Sequence, residues 1–298
     1  MRFTLLACVV LTACASAQTP GPEKPAVFDG TRAFDDLKNV VAIGPRPAGS
    51  EGAQKTRDYI KQQLAAIGVE TVEQSFDETT PAGTVRMVNV SATLPGTGSG
   101  RLVIAGHYDT KLIKEFSFVG ANDGGSSTVF LIELARALKG RINAVPIELL
   151  FLDGEEAVGE WSTGNTFGSR HYVDVAVKAG TVKQIKAMVL VDMIGDRELV
   201  IKRESNSTPW LKDAIWSAAR RLNRPEFVSD STPIEDDHLP FLAAGIESVD
   251  LIDLDYPDRT MRYWHTADDT IDKTSAASLQ AVGDVVLAAL PAIELRIK

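Results

Sequence analysis

Ile147 to Leu152 (IELLFL) run directly into Asp153, Gly154, Glu155 and Glu156. A short, largely apolar run of this kind reads as a strand covered on both faces. Leu102 to Ala105 and Met188 to Val191 read the same way, while Val85 to Leu94 alternates like a half-buried strand and Pro95 to Gly100 makes a turn. Around these runs, apolar positions recur at helical spacing over 31–42, 50–67, 124–139, 168–179, 208–221 and 273–290, with Gly68 placed as a C-terminal cap. Strands alternating with helices predict an α/β protein, a mixed sheet with helices on both faces. No internal repeat, low-complexity block or linker separates a second core, so residues 28–298 are expected to form one domain.

Composition sets the class of partner. The 298 residues are 44% hydrophobic, 24% charged and 7% aromatic, enough apolar material for a sizeable core. Lys and Arg number 31 against 40 Asp and Glu, a net charge of −9, and no basic run offers phosphates a stripe of counterions. Nucleic acid is thereby excluded as the expected partner. Met1 and Arg2 precede an apolar stretch, Phe3 to Leu11, far short of the roughly 20 residues that span a bilayer. Residues 1–17 are expected to be an export signal and 18–27 a flexible tether. Two processing sites compete: Ala15, Ser16, Ala17 before Gln18, or a lipobox over Leu11 to Cys14 with Cys14 acylated. The product is periplasmic or secreted in the first case and membrane-tethered in the second. Both cysteines, Cys8 and Cys14, lie in this segment, so the exported part contains no disulfide. No later segment is expected to cross a membrane, and a monomer is expected.

Ligands of open α/β sheets bind beyond the carboxyl ends of the strands, so the polar residues that follow each apolar run carry the functional argument. After the first run come His107, Tyr108, Asp109, Thr110 and Lys111; then Asn122 and Asp123 precede a helix, where Asp123 is either a helix cap or a ligand. Asp153, Glu155 and Glu156 put three acids within four residues of a buried strand, which calls for a cation or a shared proton. Asp192 follows the third run. Glu235, Asp236, Asp237, His238 form another acidic loop, and Trp264, His265, Thr266 lead to Asp268 and Asp269. With no cysteine available and four histidines in all, a tight divalent site must be carboxylate-rich with one or two imidazoles, a donor set zinc accepts. The absence of a helical His-Glu-x-x-His excludes the thermolysin-like peptidases.

Taken together, several of these stretches strongly resemble the animal-type glutaminyl-peptide cyclotransferases: Gly106 to Lys111; Phe118 to Ala121 before Asp123; Glu133 to Leu138; Asp153 to Ala157 with Trp161 and Ser162; Gly168 to His171; Asp236 to His238 with Pro240 and Phe241; and Trp264 to Thr266. The resemblance runs from about residue 30 to the C-terminus. It implies a three-layer fold with a mostly parallel central sheet, shared with the dinuclear zinc aminopeptidases, and the conversion of N-terminal glutamine of peptides or proteins to pyroglutamate with release of ammonia. It further implies one zinc ion per chain held by Asp123, Glu156 and His265, Glu155 as acid/base, Asp192 and Asp236 in the proton network around it, and Trp161 and Trp264 lining the substrate pocket.

The rival reading, an aminopeptidase, would use His107 and Asp192 for a second metal with Asp123 bridging, and every one of those residues is present. Trp161, the Asp236 to Phe241 loop and Trp264 belong to the cyclotransferase pattern. The chain departs from that pattern at Asp250, where the animal enzymes carry a His partner for the loop acid, at Glu160, where many have His, and in a longer loop from Asp253 to Tyr263. If Asp236 and Asp250 meet, one of them must hold a proton.

Overall fold

A computed structural model describes residues 26–298. The expected export signal at 1–17, Cys14 and the tether as far as residue 25 lie outside the described residues. Six strands form the main sheet: β1 (Val72–Thr80), β2 (Gly83–Leu94), β3 (Arg101–His107), β4 (Ile147–Leu152), β5 (Ile185–Asp192) and β8 (Glu247–Ile252), in the order β1-β2-β4-β3-β5-β8. The β1·β2 and β2·β4 pairs are antiparallel; β4, β3, β5 and β8 run parallel to one another. A separate parallel pair, β6 (Ile201–Glu204) and β7 (Phe227–Thr232), lies outside this sheet.

Seven helices accompany the strands: α1 (Gly30–Ile43), α2 (Glu51–Ala66), α3 (Gly125–Leu138), α4 (Phe167–Lys178), α5 (Pro209–Arg221), α6 (His238–Ala243) and α7 (Ala276–Ile297). Side chains alternate across a strand, and the alternation divides the core in two. Leu102 and Ile104, Ile147, Leu149 and Phe151, and Ala187, Val189 and Val191 pack under α1, α2, α3, α5 and α7. The intervening Val103, Ala105, Leu150, Leu152, Met188 and Leu190 pack under α4 and α6. Both faces are therefore apolar, which is why these strands read as continuous runs. The result is the expected three-layer α/β architecture with a mixed, mostly parallel sheet.

Local chemistry starts the helices where expected. The side chains of Asp29, Ser50 and Ser275 cap α1, α2 and α7 by accepting from the amides of Arg32, Ala53 and Ser278. Helix α7 runs past the expected end at 290 and through Pro291, which sits on the exposed side. Buried Ile293 and Ile297 hold the last turns down, and Glu294 pairs with Arg141 at 2.5 Å. Packing there outweighs the lost hydrogen bond of the proline.

Candidate active site

The parallel strands end on one edge, and their ends carry the acids. His107 is the last residue of β3 and Asp192 the last of β5. Beyond β4 the chain turns through Gly154, which has φ +68 and where an added Cβ would stand 2.5 Å from Met87 Sδ. Only a residue without a side chain makes that turn without displacing its neighbour. The turn separates the three acids. Asp153 faces back into the fold, where its Oδ2 accepts from Val88 N at 2.8 Å and lies 3.7 Å from Arg57. Glu155 and Glu156 face the strand ends, their amides bonded to Asp109 Oδ1 and Oδ2 at 3.2 and 3.4 Å.

Asp123 does not cap α3. Gly124 occupies the cap position with φ +76, and the Asp123 carboxylate is free to face two imidazoles. His265 Nε2 lies 3.3 Å from Asp123 Oδ2 and 3.1 Å from Glu156 Oε1, so one ligand atom from each of Asp123, Glu156 and His265 falls within 4.8 Å of the others. Asp123 and Glu156 are buried and His265 is one-fifth exposed. His265 adopts φ +53, a left-handed backbone conformation that costs any residue with a Cβ, and the Trp264 ring stacks on it at 4.0 Å. A second group meets the same distance test: His107, Asp123 and Asp192, with His107 Nε2 3.3 Å from Asp123 and 3.1 Å from Asp192. Asp123 belongs to both.

Electrostatics follow from burying so many acids together. Burial raises the Glu155 carboxyl well above the usual range; His107 opposes the shift, and Glu156, Asp236 and Asp237 add to it. Glu156 is also raised, by burial and by Asp123, with His265 and Lys111 pulling the other way. Asp123 is lowered, because His107 and His265 together outweigh its burial. His265 rises to about 9 despite burial, since Asp123 and Glu156 stabilise its charged form. Asp236 and Asp250 are both pushed well above the ordinary carboxylate range, burial first; for Asp250 the next cause is Asp236, and each retains a buried oxygen without a hydrogen-bond partner. Asp236 thus disfavours the charged form of Asp250, as expected of two acids placed near each other.

These groups open on a cavity of about 450 Å³ whose walls include Glu155, Asp192, Asp236, Trp161, Trp264 and His265. Trp161 donates its Nε1–H to Glu235 Oε2 at 3.0 Å, which fixes the indole at the rim. Of the residues expected to hold a metal, move protons or line the pocket, Asp123, Glu155, Glu156, Trp161, Asp192, Asp236, Trp264 and His265 all reach this cavity, whereas His107 is buried beside Asp123 and Asp192, and Asp153, Asp237, His238 and Asp250 lie away from its wall. Asp192 is bonded to His107 and, through the same Oδ1, to the amide of Met193 at 2.7 Å. Sequence reasoning passed over Asp109 as a support for both glutamates, Lys111, whose Nζ is 3.5 Å from Glu156 Oε2, and Asp269, which accepts from the amide of Asp123 at 3.1 Å. Asp109 and Lys111 stand two and four residues after His107, a proximity that could have signalled them.

Comparison with known proteins agrees with this geometry. The profile of Peptidase family M28 matches residues 89–290. The chain is 31% identical over 256 residues to the glutaminyl-peptide cyclotransferase-like protein of Bos taurus, covering 76% of this chain and 66% of that relative, so it spans about two thirds of the relative's length. Against the glutaminyl-peptide cyclotransferase of Bothrops jararaca it is 30% identical over 280 residues, 80% of this chain and 75% of the other. The crystal structure of a glutaminyl cyclase from an Acidobacteriales bacterium superposes with a TM-score of 0.86 at 40% identity, over 94% of this chain and all of that one. The chain belongs to peptidase family M28 and, within it, to the glutaminyl-peptide cyclotransferases.

Proposed function

We propose that this chain is a zinc-dependent cyclotransferase that closes the N-terminal glutamine of peptides or proteins to pyroglutamate and releases ammonia. The observation that carries the proposal is the separation of tasks among neighbouring acids: Asp123 and Glu156 converge on His265, while Glu155 faces the cavity beside them with no hydrogen-bonded cation of its own. Two carboxylates and an imidazole, largely buried and open on one side to a pocket, fit a single catalytic zinc with a free position. Bound there, zinc would supply Lewis acidity toward the γ-amide oxygen of the substrate.

The chain's own residues account for the rest. In the reaction the α-amine nitrogen bonds to the γ-carbonyl carbon, the carbon–nitrogen bond of the amide breaks, and ammonia leaves. Glu155 accepts the proton that the amine must shed and returns it to the departing nitrogen, a task suited to a carboxyl raised toward neutrality by burial. Asp236, which lines the same cavity and keeps one buried oxygen without a partner, is placed to exchange protons with that region. Trp161 and Trp264 give the pocket apolar walls that exclude water and hold the substrate close to Glu155. Residues 1–17 carry the features of an export signal, so the proposed site of action is outside the cytoplasm, on peptides exposed there, either free or tethered through Cys14.

A second reading, a dinuclear aminopeptidase, is favoured by the additional group His107, Asp123 and Asp192. One experiment separates the two. Purified protein is given a peptide beginning with Gln and another beginning with Leu, and ammonia and free amino acid are followed, with zinc content measured in parallel. Ammonia from the first peptide, no free leucine from the second and about one zinc per chain are expected. Free leucine without ammonia overturns the proposal.

A further inference from the structure

The loop that presents Asp123 is gripped from two sides by buried charged groups for which the proposed chemistry has no use. On one side the Arg46 guanidinium, 0% exposed, donates to the carbonyls of Tyr108, Val119 and Gly120 at 2.8, 2.5 and 2.6 Å. On the other, Asp269, also 0% exposed, accepts from the amides of Asn122 and Asp123 through its two oxygens at 2.8 and 3.1 Å. Its backbone carbonyl accepts from the amide of Ala121 at 3.3 Å, and the Tyr256 hydroxyl donates to its Oδ1 at 2.8 Å. Three successive amides of the loop are thus satisfied by a single residue.

Asp269 lies four residues after His265, in the same segment, so its carboxylate ties the backbone of one proposed ligand to the stretch that carries another. Asp123 and His265 come from parts of the chain far apart in sequence, and their side chains converge only if those two stretches keep a fixed separation. A carboxylate bridging two consecutive amides resists both rotation and translation of the loop. Arg46 supplies the opposite charge across it: among the acids acting on that guanidinium, Asp269 is the strongest.

We propose that Asp269, steadied by Tyr256 and balanced by Arg46, is a positioning residue that sets the distance between Asp123 and His265 before a metal arrives. The inference rests on the metal-site reading above. Groups that orient ligands from behind typically change metal affinity by about 10–100-fold when removed.

The test uses the full chain stripped of metal. Zinc affinity is measured by competition with a chelator of known affinity, and Tm is recorded with and without zinc, for the wild type, D269N and Y256F. D269N keeps one acceptor oxygen but turns an amide group toward the other backbone N–H. Its zinc Kd is expected to rise about 10–100-fold, with the Tm gain on adding zinc shrinking accordingly. Y256F should show the same loss to a smaller degree. If D269N lowers Tm equally in both states and binds zinc as the wild type does, Asp269 is only a structural brace and the inference falls. Should D269N fail to fold, Y256F decides, and an unchanged Kd there overturns the inference. A wild type that takes up no zinc at all removes the metal-site reading itself, an outcome distinct from equal binding by wild type and variants.

Discussion

Replacing Glu155 by Gln is the most informative single change, because it removes a proton acceptor while leaving volume and backbone nearly intact. The amides of both 155 and 156 are held by Asp109, so the turn that presents Glu156 to His265 does not depend on the side chain at 155. Zinc should therefore stay bound, because no group proposed to hold it is altered. Turnover should fall much further, since a positioned acid/base contributes about 10²–10⁴-fold, or roughly 3–5 kcal/mol of barrier. The structure indicates which end of that range applies. Asp192 is held through Oδ1 by His107 and the Met193 amide, whereas Asp236 lines the same cavity and keeps one buried oxygen without a partner. A residual path through Asp236 keeps the loss nearer 10² than 10⁴, and adding Asp236→Asn to Glu155→Gln should deepen it. The assay is ammonia release from a Gln-peptide at saturating substrate, with zinc counted in the same samples. Loss of zinc along with activity would mean that the roles of the two adjacent glutamates are exchanged. Turnover within about tenfold of the wild type would show that Glu155 does not carry the proton.

Glu156→Gln and His265→Ala should each lose metal and activity together; zinc retained at wild-type affinity in either variant excludes that residue as a ligand. Asp253 is buried and bonded to the amides of Val200 and Asp255, and burial, with Asp196 adding to it, pushes its carboxyl up to about 7. A raised acid contributes stability that is full below its ordinary pKa near 4 and is lost as pH rises through about 7. Asp253→Asn, which cannot titrate, should therefore gain on the wild type in urea midpoint between about pH 4 and 7, and parallel curves would refute the assignment. Leu149 on β4 is fully buried between the helices of the larger core, and Leu149→Ala should cost about 2–5 kcal/mol in urea unfolding, with a loss below about 1 showing that the site collapses.

The legible strands are the central parallel ones with helices on both faces and β2, whose alternation shows over Val85 to Leu94. Ile147 to Leu152 is the strand the sequence marks, residue for residue, because every position there is buried and an apolar run is what two covered faces require. β1 was missed for the opposite reason. It forms the outer edge of the sheet, its sequence VEQSFDETT is largely exposed, and Phe76 and Thr80 alone are buried, so no alternation stands out. β8 was missed because Asp250 interrupts ESVDLI at a fully buried position, which reads as a polar loop until its neighbours are known. In the site, residues at strand ends could be found because topology predicts where they go. The roles of Arg46 and Asp269 could not, since their partners lie 62–77 and 146–147 residues away; Asp269 follows the Trp264 to Thr266 stretch, but nothing in the sequence pairs it with the loop at 121–123.

The two adjacent glutamates show why identity of side chain does not settle role. Glu156 meets His265 at 3.1 Å and Lys111 at 3.5 Å, so positive groups draw it toward the ionised form that a metal requires. Glu155, one residue earlier, reaches no cation closer than His107 Nδ1 at 4.0 Å and faces Asp236 and Asp237. Both are raised by burial, Glu155 well above the usual range: His107 pulls it down, but Glu156, Asp236 and Asp237 push it up, whereas Glu156 has Asp123 against it and His265 and Lys111 in its favour. Environments that push two carboxyls apart in acidity assign them different tasks. The turn at Gly154 is what makes this division possible: with Asp153 directed inward to β2, the next two side chains both reach the cavity, Glu156 against His265 and Lys111 and Glu155 with Asp236 and Asp237 among the groups acting on it. A residue at 154 that required negative φ would rotate that pair, and the division between holding a metal and moving a proton would be lost before any change in the residues that perform either.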